Sequence, residues 1–465
     1  MRTTSSAPVE AQRIQELNGV PERRGAYVLY WMQQSQRAAG NPALELAIAS
    51  ANRLGLPVLV VFAVTADFPG ANLRHYAFML QGLAETAAQL RERGVAFTIR
   101  HGAPDAVVLE LAPQAALIVC DHGYLRIQKQ WRAQVAAAAA VRVVRVEGDV
   151  LVPVAAASRQ REVAARTLRP KLLALREQYL RRLPSVRPEV SAAQLRVPSS
   201  LALEDVPGAL AALRIDRTIG AVPGWTGGLS HARARLRAFL RADLAHYDVA
   251  RARPGAPRVS GLSPYLHFGQ ISPLEIALAI RESAAPAAAR ESYLEELLVR
   301  RELAVNFVDT TPDYDCYQSV PEWARRSLHA HRDDPRPHVY DYDQLTQART
   351  HDRYWNAAMR EMLATGYMHN HLRMYWGKKV LEWSADPAAG YATLLRLNNS
   401  YFLDGRDPSS FANVGWVFGL HDRPWPERPI FGTVRYMNAA GLARKTDIEV
   451  YVRKWGASAP APLAL

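Results

Sequence analysis

Residues 351–383 read HDRYWNAAMREMLATGYMHNHLRMYWGKKVLEW. Two helical runs are predicted here, with Gly366 as the stop of the first. They carry Trp355, Trp376 and Trp383. Trp376 and Trp383 are seven residues apart, nearly two helical turns, so they share a face roughly 10 Å apart along the axis. The same helix holds Arg373, Lys378 and Lys379. Beyond it, LNNSYFLDGRDPSSFANVGW (397–416) and HDRPWPERP (421–429) add Trp416, Trp425, Asp404 and Asp407. Half of the ten tryptophans thus fall between Arg353 and Arg428. Core packing accounts for most tryptophans at helical spacing. Indoles in a row beside charged side chains also suit one-electron traffic to a redox cofactor.

Working back toward the N-terminus, the pattern changes. Ala26–Met32, Leu56–Val64, Val95–Arg100, Ala116–Cys120 and Val141–Val146 are short apolar runs rich in β-branched residues. Helical stretches near 42–54, 73–93, 105–111 and 126–140 separate them. Such alternation predicts buried parallel strands in a doubly wound, Rossmann-like α/β sheet over 21–150. Residues 1–20 read as a flexible tail and 151–223 as a connector with a helix near Arg169–Arg182. From 224 to 465 strand-like runs are gone, and an all-α domain is expected. No G-x-G-x-x-G or P-loop follows a strand, so a dinucleotide or P-loop phosphate site is not supported. Gln33, Gln34 and Arg37, after the first long strand, are candidates either for a ligand cleft or for a structural loop.

The 465 residues suffice for two or three domains with sizeable cores. A net charge of +13 and a pI near 9.8 favour a polyanionic partner such as nucleic acid or an anionic membrane surface, or serve solubility alone. Two cysteines, Cys120 and Cys316, exclude a disulfide framework and a cysteine-based metal cluster, and no metal site is predicted. They point to a reducing, cytoplasmic setting. No apolar run is long enough to span a membrane, and a monomer is expected.

In VSGLSPYLHFGQISPLEIALAIRES (259–283) two helix starts are marked. Ser263 is read as an N-cap before Pro264, and Ser272 with Glu275 as a capping box. Ser260, Gly261 and Ser263 at a positive helix end suit an anion such as a pyrophosphate. Glu291–Phe307 is read as one amphipathic helix, with Glu295, Glu296, Arg300, Arg301 and Glu302 forming i,i+4 pairs.

The C-terminal half resembles the class II cyclobutane pyrimidine dimer photolyases. The resemblance rests on SGLSPYLHFGQIS, YLEELLVRREL, DRYWNAAMREM, MHNHLRMYWGKKVLEW, LNNSYFLDGRDPSSFANVGW, HDRPWPERPIFGTVRYMN and ARKTDIEVYV, and spans about Tyr247 to Trp455. It implies light-driven repair of DNA dimers by reduced FAD (FADH−) in the helical domain. Tyr247, Val259, Ser260, Gly261, Leu262 and Ser263 would hold the phosphate side of the flavin. Arg373 and Asp404 would pair beside its ring, with Asp407 close by, and Asn398 or, second in rank, Asn413 would face N5. Trp376, Trp355 and Trp383 would relay electrons from the surface to the flavin, with Tyr375 as an accessory. Glu296 would contact the dimer in its neutral form and Trp416 would wall the substrate pocket. Asp422, Arg423 and Trp425 would fill the gap in UV-damaged DNA, double- or single-stranded, while Arg423, Arg428 and Arg435 gripped phosphates. A deazaflavin or folate antenna is left undecided. The chain departs from the family pattern at VDTTPDYDCY, at Val299 and at GLARKTDIE. The alternative within the family is a cryptochrome-type flavin photoreceptor without repair. A (6-4) photolyase, which would use His267 and His369 for proton transfer, fits the motifs less well.

Overall fold

Five of six strands grow from the β-branched runs. A computed structural model of the chain describes residues 8–255 and 258–456. Its strands are β1 (Ile14–Glu16), β2 (Tyr27–Met32), β3 (Val58–Val64), β4 (Ala96–His101), β5 (Ala115–Asp121) and β6 (Val143–Val146). They form one sheet in the order β1-β6-β5-β2-β3-β4. β2 to β6 are parallel, and β1 adds antiparallel to β6. The side chains of β2 alternate. Val28, Tyr30 and Met32 share a core with α1 (Pro42–Leu54) and α2 (Leu73–Glu92). Tyr27, Leu29 and Trp31 face α3 (Pro104–Leu111) and α4 (Arg126–Ala138). Both faces are covered, which is why these strands read as unbroken apolar runs.

Residues 8–20 of the expected tail are packed onto the domain. Val9 is buried, and the Arg13 guanidinium donates to Glu147 O, Val150 O and Leu151 O. That buried arginine fixes β1 as an edge strand. The connector also has a structural task. Its helix runs from Ala165 to Tyr179, earlier than expected. Ser200 N donates to Ile99 O, and Ser199 Oγ accepts from Ile99 N, so residues 199–200 cap the open edge of β4.

Two of the apolar cores in the helical half frame the site. One groups Leu236, Phe239, Tyr265 and Ile276 with the connector helix. The other is built around Trp355, Trp376, Trp383, Leu394 and Phe418. The helices Arg353–Thr365 and Asn370–Glu382 lie against each other, with Gly366 in the left-handed region at φ 65° ending the first. Gly377 admits the helix Pro408–Val417: a Cβ there would lie 2.7 Å from Val417. The halves are tied by α2. Arg74 donates to Met362 O and Leu363 O, and Asn72 donates to Ser400 O. Among the described residues no helix is long and apolar enough to cross a membrane.

Several local readings change. The N-cap at the first marked helix start is Leu262, not Ser263. Ser272 does cap the next helix, but Glu275 pairs with Arg233 instead of closing a capping box. The Glu291–Phe307 segment is not one α-helix. Ala287–Leu294 and Arg301–Thr310 flank a π-helical turn at Glu295–Arg300. A π turn brings residues five apart together, so Glu295 meets Arg300 at 3.2 Å and the expected i,i+4 pairing fails. Glu302 turns inward and accepts from Leu151 N.

Candidate functional site

One face of the helix Pro408–Val417 opens onto a cleft. Asp407, Ser410, Val414 and Val417 line it at spacings of three and four, together with Ser409 and Asn413. Arg373 and Trp376 enter from the helix Asn370–Glu382, one turn apart, and Leu394, Asn398, Phe402 and Asp404 close the far side. The cleft contains about 620 Å³ of space, part of it open to solvent, within the usual size of cofactor sites.

Its edge is a fork-to-fork ion pair. Arg373 Nη1 donates to Asp404 Oδ1 at 3.0 Å and Nη2 to Oδ2 at 3.2 Å. Both side chains are mostly buried, and the guanidinium also stacks 3.9 Å from the Phe402 ring. Arg301, which lines the cleft, pairs with buried Asp149 at 3.0 Å. Asp407 accepts from Ser409 N at the helix start and faces His267 at 3.5 Å. Burial holds His267 below the ordinary histidine range against the pull of Asp407, and Arg406 presses the same way.

The three indoles form one path. Trp376 lines the cleft. Trp355 stacks on it at 6.1 Å with 14° between the planes, and Trp383 meets Trp355 edge-on at 5.6 Å. The helical-face reading placed Trp376 and Trp383 in line; Trp355 of the preceding helix fills the space between them. All three are buried, so Trp383 is not itself the surface end of the path. Tyr340 packs on it at 5.1 Å and exposed His351 at 5.4 Å. Tyr375 points elsewhere and is hydrogen-bonded to Asp352.

The other candidates divide. Of the segment Val259, Ser260, Gly261, Leu262 and Ser263, Ser263 lines this cleft. Leu262 is core, and Ser260 Oγ bonds the Tyr293 hydroxyl at 3.0 Å. Tyr247 packs against Phe239 and Tyr293. Glu296 sits on the π turn, where its carboxylate accepts from Arg251 Nη1 at 2.6 Å. Arg251 thus occupies the carboxylate that the sequence reading assigned to the dimer. Trp416 and Trp425 flank one guanidinium, that of Arg435, at 5.4 and 4.3 Å. Arg435 pairs with Asp422 at 3.1 Å. Arg423 and Arg428 are exposed.

Sequence reasoning placed Lys378 on the tryptophan helix but gave it no role of its own. Its ammonium is buried, donates to Val417 O and lies 5.0 Å from the Trp416 ring. Burial is the main reason its pKa is brought down to about 7. Its neighbour Lys379 is buried too, but its ammonium reaches the Glu382 carboxylate at 2.7 Å. A second cleft, of about 750 Å³, lies at the carboxyl ends of β2 and β3, beside the point where strand order reverses. Trp31, Phe62, Tyr76 and Trp131 line it with Gln33 and Gln34. Both amide atoms of Gln33 are buried without a partner. Arg37 is structural, donating to Gly40 O, Gly148 O and Gly269 O.

Residues 28–189 match the family model described as DNA photolyase. The chain is 46% identical over 451 residues to the deoxyribodipyrimidine photo-lyase of Methanothermobacter thermautotrophicus, covering 96% of this chain and 98% of that one. It is 37% identical over 443 residues to the deoxyribodipyrimidine photo-lyase of Arabidopsis thaliana, covering 91% and 88%. The solved structure of a bacterial class III photolyase from Agrobacterium tumefaciens shares the fold, with a TM-score of 0.73 at 20% identity over 93% of this chain and 87% of that one. The chain belongs to the photolyase/cryptochrome family and is an enzyme, a photo-lyase of that family.

Proposed function

We propose that the chain is a class II photolyase that uses light to repair cyclobutane pyrimidine dimers in DNA. The observation that carries this reading is the stack Trp376–Trp355–Trp383, which ends on the wall of the cleft that the Arg373–Asp404 pair borders. The cleft fits FAD by the chemistry of its lining. It offers amides, a carboxylate–guanidinium pair, and the indole N–H of Trp376, which is buried without a partner. When bound, reduced FAD supplies one chemistry here, an excited-state electron lent to the dimer and returned once the ring splits.

The protein's own groups position and protect. Arg373 and Asp404 hold the ring edge, with Asp407 near them. We assign Asn398 to the flavin N5: it is buried and its amide is held by Asn399, whereas Asn413 is exposed. Tyr247 and residues 259–263 serve the phosphate side, with Ser263 reaching the cleft. The tryptophans restore the reduced state from the surface side.

A dimer in a duplex reaches such a cleft only after flipping out of the stack. Trp416 then walls the pocket, and Glu296, once Arg251 lets go, faces the base edge where charge develops. Asp422, Arg423, Trp425 and Arg428 occupy the gap and the backbone beside it. The exposed arginines give salt-dependent affinity for the phosphates. The second cleft suits a planar antenna chromophore, a deazaflavin or a folate, facing the free amide of Gln33.

The test is binding and colour together. Purified protein should release about one FAD per chain on denaturation, the occupancy of a single-site cofactor. In the dark it should also bind a duplex with one thymine dimer in preference to the undamaged duplex. A folded chain without flavin, or without that preference, would overturn the reading.

A further inference from the structure

The segment 421–435 is a hairpin-like loop with no helix of its own. Trp425 N donates to Thr433 O, and Arg428 and Gly432 exchange backbone hydrogen bonds at 2.9 and 2.8 Å. His421 and Ile430 lie at positive φ, 58° and 69°, a conformation that side chains rarely adopt unless the surroundings impose it. At Ile430 the surroundings that impose it come from the turn after the helix Glu322–Ala330, and the helix itself anchors Thr433. Ser327 Oγ accepts from Thr433 N at 2.8 Å, and Asp334 Oδ2 accepts from Ile430 N at 2.7 Å.

Between these anchors sits His331. Its Nδ1 is 2.7 Å from Asp334 Oδ2, and its Nε2 is 2.8 Å from Glu427 Oε1. A neutral imidazole donates from one nitrogen only, and its other lone pair would then face a carboxylate. Only the imidazolium satisfies both contacts. The position agrees, because His331 is the C-cap of the helix, where the carbonyl ends favour a cation.

We propose that His331 is a positioning residue which, by bridging Asp334 and Glu427, sets the 421–435 hairpin in the pose that fills the gap in damaged DNA. The inference rests on the reading of Trp425 and its neighbours as the gap-filling segment. Glu427 lies between Trp425 and Arg428, so the bridge acts where those side chains must be aimed. The other charged groups nearby are Arg336, which acts on Asp334, and the exposed Arg332–Asp333 pair. Ser327, Thr433 and Gly432 contribute no charge. The hydrogen bonds that His331 donates to Asp334 and Glu427 raise its pKa. For a raised histidine the bridge is complete at lower pH and is lost as pH rises through the folded-state value.

The experiment compares wild type, H331Q and E427Q in the dark. For each, affinity is measured for a duplex with one thymine dimer and for the same duplex undamaged, from pH 6.5 to 9. The ratio of the two is read, because removing the Glu427 charge alters affinity for any DNA. Wild type should lose discrimination as pH rises. H331Q and E427Q should discriminate about 10-fold less at pH 6.5, the scale of one charged hydrogen bond lost, and show a flat profile. Flavin content should be unchanged in both. E427Q changes an exposed side chain and so guards against a folding defect in H331Q. Variants that keep the wild-type ratio and slope would overturn the proposal. Titration of the His331 imidazole in the DNA-free chain separates the two readings. A midpoint above the ordinary histidine range supports the bridge even if no lesion preference is found, and an ordinary midpoint contradicts it.

Discussion

The indole of Trp355 donates from Nε1 to the backbone carbonyl of Trp376 at 3.0 Å while the two rings stack at 6.1 Å. One side chain therefore fixes both the contact and the plane of its neighbour. Trp376→Phe should block light-driven reduction of oxidised flavin, while chemically pre-reduced protein still splits dimers. Flavin absorbance under illumination gives the answer. Photoreduction at the wild-type rate would remove the relay role. Trp355→Ala should in addition cost about 3–5 kcal/mol of stability, the usual loss for a buried aromatic emptied to alanine.

The Arg373–Asp404 pair predicts a second outcome. Asp404→Asn leaves a mostly buried guanidinium without its counter-charge. Breaking such a pair from one side costs about 3 kcal/mol or more. The variant should unfold at lower denaturant and lose flavin during purification. A flavin-to-protein ratio equal to wild type would show that the pair does not border the bound ring.

Lys378 predicts a pH dependence. Its folded-state pKa is about 7, far below that of an unfolded lysine, so the unfolded chain binds the extra proton between the two values. Its burial cost is therefore full below pH 7 and is relieved as pH rises toward the unfolded value. Lys378→Met should be more stable than wild type at pH 6, by about 1–4 kcal/mol as for other buried charges replaced by apolar groups. The gain should shrink toward pH 10. A gain independent of pH would show that Lys378 keeps an ordinary lysine pKa in the folded chain. Because Lys378 Nζ also holds Val417 O beside Trp416, lesion binding should weaken in the variant.

Glu296 predicts a split between binding and repair. Glu296→Ala frees Arg251 and removes the acceptor on the π turn. Repair yield should fall about 10-fold, the scale of one charge-assisted hydrogen bond, with FAD retained. Unchanged repair per photon would remove Glu296 from the reaction.

The sheet was legible because each central strand is buried on both faces and so appears as a continuous β-branched run. β1 was not, since its three residues are held by Arg13 reaching residues 147–151, and no periodicity records that. Spacing paired only Trp376 with Trp383; the full Trp355–Trp376–Trp383 set and the Arg373–Asp404 pair were expectations from the family resemblance. Their geometry depends on Trp355 coming from a different helix, which spacing along one helix cannot give. The π turn at Glu295–Arg300 was hidden because its residues are ordinary helix formers, and one altered turn redirects Glu296 to Arg251. The surroundings of Arg435 were hidden for a related reason: the two indoles and Asp422 that hold it are brought together only by the fold.

The most direct measurement is a dimer count. Chemically reduced, FAD-containing protein is mixed with DNA holding thymine dimers and divided between blue light and darkness. The account predicts that dimers disappear in the illuminated sample and persist in the dark one. Dimers that persist equally in both, with the flavin bound and reduced, would contradict it.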